Sequence, residues 1–191
     1  MSNHISCVIF LVLTTPPIMN SASKNLLKKL KKLKLIAFDF DGIFTDGKVI
    51  TNQDGIERIL YSSKDDQGIK NLKKQGLRLV VISKEPNSIV AIKCKKTGIE
   101  YAHNILDKLS LFKKILHKYG IKPSEAAFMG DDFNDLECMR YAGVSFTVVD
   151  AYPACLDVAD YTTKSSGNHT ISEIVDLIIG AKQKAHSKVS S

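Results

Sequence analysis

The chain has 191 residues, 44% of them hydrophobic and 25% charged, with four cysteines and a formal net charge of +7. A chain of that length suits one domain that buries roughly 70% of the surface its unfolded form exposes, so it needs no disulfide or structural metal to fold. Cys7, Cys94, Cys138 and Cys155 form no CxxC pair, which argues against a zinc site and for reduced thiols in the cytoplasm.

The charge is unevenly placed. Residues 1–34 hold six lysines and no acid, Lys182, Lys184 and Lys188 follow residue 180, and the body between nets −2. A slightly acidic body predicts no nucleic-acid partner. The apolar run Cys7–Leu13 lacks a basic leader and falls far short of the roughly 20 residues that span a bilayer. Residues 1–34 are expected to be a basic flexible extension, with Met19 as an alternative start. Within it Leu26, Leu30 and Leu33 share one helical face among lysines. Such a helix lies on a membrane surface or packs its leucines beside the first strand, and the second is expected.

From Leu35 the pattern alternates strand and helix. Leu35–Asp39 reads as a buried parallel strand ending in acids. Gly47–Ser62 reads as a β-hairpin, with Lys48–Thr51 and Glu57–Tyr61 flanking the turn Asn52-Gln53-Asp54-Gly55. A helix over about 67–75 closes at Gly76, and Leu77–Ile82 is a second buried strand. Then follow a helix over about 87–97, a strand over 99–102, a helix over 107–119, a strand over 126–129, a helix over 134–141, a strand over 144–149 and a last helix over about 170–179. Residues 35–180 thus predict an α/β fold, a Rossmann-like three-layer sandwich with a mainly parallel sheet, followed by a basic flexible tail over 181–191.

Ligands of such sheets bind beyond the carboxyl ends of the strands. Four polar features fall there: Asp39-Phe40-Asp41-Gly42, Ser83, Lys108 and Gly130-Asp131-Asp132. Asp39 and Asp41 are two apart and point to one side of an extended backbone. One carboxylate can attack phosphorus while the other protonates the departing alkoxide and later activates water. Gly42 permits the tight turn that brings its N–H toward phosphate oxygens. Clustered acids facing a dianion call for a hard cation, magnesium, held by Asp39, Asp131 and the main-chain carbonyl of Asp41, with Asp135 supporting. Lys108 would neutralise the nucleophile and phosphate, and the Ser83 hydroxyl would donate to a phosphoryl oxygen. Singly, each has a plainer reading as a turn or cap.

Asp39-Phe40-Asp41-Gly42-Ile43-Phe44-Thr45-Asp46-Gly47, Ser83, Lys108 and Gly130-Asp131-Asp132-Phe133-Asn134-Asp135 resemble the four motifs of the haloacid dehalogenase superfamily. The resemblance implies Asp39 as nucleophile, Asp41 as general acid/base, Ser83 and Lys108 as phosphate binders, and Asp131 as a magnesium ligand. With Thr45-Asp46-Gly47, the hairpin, Lys64-Asp65-Asp66-Gln67-Gly68-Ile69 and Asp107-Lys108-Leu109-Ser110, the chain is most similar to the 3-deoxy-D-manno-octulosonate 8-phosphate phosphatases. Their nine-carbon relatives, including the phosphatase-like domain of acylneuraminate cytidylyltransferases, are equally similar. That group has no cap domain, and neither insertion point here has length for one. It implies a homotetramer in which the hairpin 47–62 covers a neighbour's site, and a small-molecule sugar acid phosphate as substrate.

Three departures bear on the substrate. Ser83-Lys84-Glu85 stands where the octulosonate enzymes have Gly-Arg after the serine, and Glu85 is more like the nine-carbon enzymes. Lys64 replaces an arginine, a point charge in place of a bidentate fork. Ser165–Glu173 lacks the family's arginine. Lys64 and Glu85 are therefore candidate substrate contacts. Two other readings are weighed: a macromolecular or nucleic-acid-end phosphate as substrate, and a non-catalytic assembly or membrane-associated protein that keeps the fold.

Overall fold

The structure, a computed structural model, describes residues 24–61, 63, 65–167 and 169–186. Its centre is β1 (Leu35–Phe38), whose four side chains are all buried. Parallel partners flank it: β4 (Arg78–Ile82) pairs Val80 with Ala37 on one side, and β6 (Ala126–Met129) pairs Phe128 with Ala37 on the other. The sheet order is β5-β4-β1-β6-β7-β8, with β5 at Glu100–Ala102, β7 at Val144–Thr147 and β8 at Tyr161–Thr162, and every pairing is parallel. After β1 the chain builds outward to β4 and β5, then crosses back to β6. That reversal opens a crevice at the carboxyl end of β1.

Helices cover both faces, giving the expected Rossmann-like α/β sandwich. α1 (Lys24–Lys31) and α2 (Asp66–Lys74) pack on α7 (Thr170–His186), with α3 (Ile89–Thr97) beside α2. α4 (Lys108–Lys118) packs on α5 (Leu136–Tyr141). Among the described residues no cap domain interrupts the chain. The described elements between β1 and β4 are α2 and a two-stranded ribbon of β2 (Thr45–Thr51) and β3 (Glu57–Tyr61). Its turn is held by Asn52, whose Oδ1 accepts from the N–H of Asp54 (3.1 Å) and Ile56 (2.8 Å). Val49, Ile50, Ile56 and Leu60 on this ribbon are exposed.

Several boundaries are corrected. The body does not begin at residue 35: Leu26, Leu30 and Leu33 are buried, and Lys29 pairs with Asp160 at 2.7 Å, so α1 belongs to the domain. Its leucines are spent inside the protein, against α7. The final helix runs past Ile179 to His186 with Ala181 buried, so 181 is no tail boundary either. Residues 1–23, which include Met19 and the run Cys7–Leu13, and residues 187–191 lie outside the described residues. α6 (Pro153–Val158) and β8 were not expected. A two-residue strand carries no readable periodicity, and β8 is placed by Asp160, whose carboxylate accepts from the Ser145 N–H at 3.0 Å.

Candidate active site

Asp39 follows β1 and hangs at the mouth of the crevice, held by its own N–H donating to the Met129 carbonyl at 2.8 Å. Its neighbours along the edge are Asp41, Gly42, Gly47, Ser83, Lys84, Glu85, Pro86, Asp131, Asp132 and Asn134, which line a cleft of about 450 Å³. That volume is in the range of small-molecule sites. The four motifs expected to converge do so.

Lys108 does not line the cleft; it lies beneath it, only 2% exposed at the first residue of α4. Its ammonium is 2.8 Å from Asp135 Oδ1, which accepts a hydrogen bond, and 2.8 Å from Asp39 Oδ1. The contact with Asp39 is an ion pair, and it is the charge that neutralises Oδ1 from beneath. Burial lowers the lysine's pKa, but the Asp39 and Asp135 carboxylates outweigh it and hold the ammonium above its ordinary value.

Asp135 is fully buried, and the sequence placed it in a supporting role. Oδ2 accepts from the N–H groups of Asp131 (3.1 Å) and Asp132 (3.3 Å), while Oδ1 takes Lys108. These bonds break the expected helix over 134–141 into a tight turn at Phe133–Asp135 before α5 begins. Gly130 is required beneath this clasp, because a Cβ there would lie 2.4 Å from Asp135 Cγ. Thr147 completes it by donating to the Gly130 carbonyl at 2.7 Å. Asp132 faces outward and its carboxylate caps the turn through Phe133 N–H at 2.7 Å.

Asp41 sits half-buried across from Glu85. Burial and then the Glu85 charge raise its pKa, against the pull of a Thr45 hydrogen bond and of Lys108. The Thr45 hydroxyl is the hub of this turn: it donates to Asp41 Oδ1 (3.4 Å) and accepts from Gly42 N–H (3.2 Å) and Gly47 N–H (3.1 Å). Thr45 was quoted within a motif but given no role; its signal was the small hydroxyl four residues after Asp41. Gly42 has φ +72° and a Cβ there would stand 1.9 Å from Asp131 Oδ2, so only glycine lets the Asp131 carboxylate lie over the turn.

Ser83 is buried at the end of β4, its Oγ accepting from Glu85 N–H at 3.0 Å. Glu85 lines the cleft, yet one of its oxygens is taken by Asn87 N–H at 2.8 Å. Lys64 lies outside the described residues. Lys84 and Asn134 line the cleft and were not singled out from the sequence.

The carboxylates of Asp39, Asp131 and Asp135 bring one oxygen each within 4.8 Å of one another. Asp135 has both oxygens engaged, which leaves Asp39 and Asp131 as the donors facing the cleft. Asp131 Oδ1 is buried without a partner, and burial, then Asp135 and Asp132, push its pKa up to about 7. Burial and the Asp135 carboxylate likewise push Asp39 well above the usual range. Both pushes reverse once a divalent cation stands among these oxygens, so the residues fit a hard metal ion such as magnesium.

A family model described as haloacid dehalogenase-like hydrolase matches residues 48–175. The chain belongs to the haloacid dehalogenase-like hydrolases. Within them it is an uncapped phosphatase. A solved structure of 3-deoxy-D-manno-octulosonate 8-phosphate phosphatase from Moraxella catarrhalis, in complex with a magnesium ion, a phosphate ion and the sugar acid, is 32% identical with a TM-score of 0.79, covering 86% of this hydrolase and 95% of that chain. The Escherichia coli K12 enzyme of the same description is 29% identical over 164 residues, 85% of this hydrolase and 87% of that one. N-acylneuraminate cytidylyltransferase A of Danio rerio is 27% identical over 164 residues, 84% of this hydrolase but 38% of that protein.

Proposed function

We propose that this phosphatase hydrolyses the phosphate monoester of a 2-keto-3-deoxy sugar acid through an aspartyl-phosphate on Asp39, with magnesium as its cofactor. What carries the reading is the buried Lys108 ammonium bridging Asp39 and Asp135 beneath an open, acid-lined cleft. The eight-carbon 8-phosphate is the first substrate, as in the names of the relatives. A nine-carbon acid such as N-acylneuraminate 9-phosphate is the second, favoured by Glu85 and by the cytidylyltransferase relative.

An Asp39 oxygen attacks phosphorus in line, the P–O bond to the sugar breaks, and Asp41 gives its proton to the departing alkoxide. The raised pKa of Asp41 keeps that proton available. The resulting Asp41 carboxylate then takes a proton from water, whose oxygen attacks the same phosphorus and frees Asp39 and inorganic phosphate. Asp39, Asp131 and the Asp41 carbonyl would hold magnesium, which would supply positive charge to the phosphoryl oxygens. Lys108 favours the ionised nucleophile from below, against burial and Asp135, and the Ser83 hydroxyl steadies a phosphoryl oxygen at the rim.

An open cleft must still exclude water. A homotetramer in which the ribbon 47–62 covers a neighbour's cleft would do so, and the exposed Val49, Ile50, Ile56 and Leu60 support that arrangement. Among the described residues no helix is long and apolar enough to cross a membrane. The test is magnesium-dependent phosphate release from eight- and nine-carbon sugar acid phosphates, hexose phosphates and a 5′-phosphorylated oligonucleotide. Selective turnover of one sugar acid is expected, with Asp39→Asn reducing it at least about 1,000-fold. Release from the oligonucleotide alone would refute the substrate, and full activity of Asp39→Asn would refute the mechanism.

A further inference from the structure

The walls of the cleft are electrostatically lopsided. Five of the lining residues are carboxylates, Asp39, Asp41, Glu85, Asp131 and Asp132, and among the described lining residues Lys84 is the one cation. Lys108 is hidden beneath, and its ammonium is already shared by two carboxylates. Lys84 by contrast is exposed and forms no ion pair with any described carboxylate, although five stand along the same walls.

The loop that carries Lys84 is stiffly built. Ser83 Oγ accepts from Glu85 N–H (3.0 Å), Glu85 Oε1 accepts from Asn87 N–H (2.8 Å), and the Glu85 carbonyl accepts from Asn104 N–H (3.1 Å). Asn104 holds φ +58°, a left-handed conformation that asparagine tolerates. These bonds fix the backbone on both sides of Lys84 and turn the Glu85 carboxylate toward the start of α3. Lys84 itself is exposed and lines the cleft next in the chain to Ser83.

We infer that Lys84 is the specificity-determining residue that binds the substrate's second anionic group, the carboxylate. This rests on the sugar-acid reading above. A phosphate ester placed at Asp39 is drawn by the magnesium site and Ser83, and any phosphomonoester shares that attraction. A carboxylate at the far end of the substrate meets acid-lined walls and is repelled unless a cation receives it. Lys84 occupies the place where a cation serves that purpose. Because the carboxylate is remote from phosphorus and unchanged in the transition state, the contact acts in KM rather than kcat.

The test is the ratio of kcat/KM for the eight-carbon sugar acid 8-phosphate to kcat/KM for glucose 6-phosphate, in saturating magnesium. In the parent enzyme the ratio should be well above one. Lys84→Gln should lower it about 10-fold, through KM of the sugar acid, by removing one charge-assisted hydrogen bond. Lys84→Arg should restore most of it, since the charge returns. An unchanged ratio in Lys84→Gln, with the parent still selective, overturns the assignment and moves the carboxylate to another cation, such as Arg58 on a neighbour's ribbon. A parent ratio near one instead overturns the sugar-acid substrate itself, so the two failures are told apart.

Discussion

Replacing Lys108 with methionine would expose how tightly the site is bound by charge. The side chain is 2% exposed, and its ammonium stands 2.8 Å from an oxygen of Asp39 and 2.8 Å from an oxygen of Asp135. Methionine has a similar volume, so packing loss is small and the electrostatic change dominates. Removing one partner of a buried ionic cluster costs about 3–5 kcal/mol, because the carboxylates are left facing each other without compensation. For a domain of this size that corresponds to a fall in Tm of roughly 10 °C. The deficit has a pH sign. Asp39 and Asp135 already have raised pKa values, and without the lysine both rise further above their unfolded value. The folded variant then holds more protons than the unfolded chain, so its stability falls as pH rises through those folded pKa values. Urea denaturation should therefore show a deficit that is largest at pH 8 and shrinks toward pH 5. Magnesium should raise the Tm of the variant, since it binds the folded state's carboxylates. A variant as stable as the parent at pH 8, with a parallel pH profile, would refute the role given to Lys108.

Gly42→Ala places a Cβ 1.9 Å from Asp131 Oδ2 at a backbone φ of +72°, so magnesium affinity measured by calorimetry should fall at least 10-fold, with a stability loss of about 1–2 kcal/mol. Unaltered magnesium binding would show that Asp131 does not need its place over the turn. The alkaline limb of the pH profile of kcat/KM follows loss of the Asp41 proton, and two variants should move it in opposite directions. Thr45→Val removes a bond that lowers the Asp41 pKa and should shift the limb to higher pH, whereas Glu85→Gln removes a charge that raises it and should shift the limb lower. Shifts in the same direction would exclude Asp41 as the titrating acid.

Much of this protein was legible before any coordinates. The apolar run Leu35–Phe38 ending in Asp39-Phe40-Asp41-Gly42 specifies a buried strand that delivers two carboxylates to a sheet edge, because a strand buried on both faces is apolar throughout and side chains two apart point one way. Period and punctuation gave the remaining longer elements, with α2, α3 and α4 each closed by a left-handed glycine, Gly76, Gly98 and Gly120. Asp135, expected as a support four residues beyond Asp131, accepts from the Asp131 N–H at 3.1 Å.

What sequence did not disclose depends on atoms brought together from distant positions. The hub role of Thr45, the clasp of Asp135 on two N–H groups, and the contact of Lys108 with both Asp39 and Asp135 follow from distances that no local pattern encodes. The packing of the α1 leucines against α7, and the place of the two-residue β8 at the sheet edge, were decided the same way, by burial and by Asp160 bonding to Ser145. Sequence by itself determined which groups reach the carboxyl edge of the sheet, because strand and helix periodicity act over a few residues. The tertiary structure alone decided which of those charges stay open to a ligand and which are neutralised beneath it, because electrostatic partnership depends on separations of a few ångströms between residues far apart in the chain.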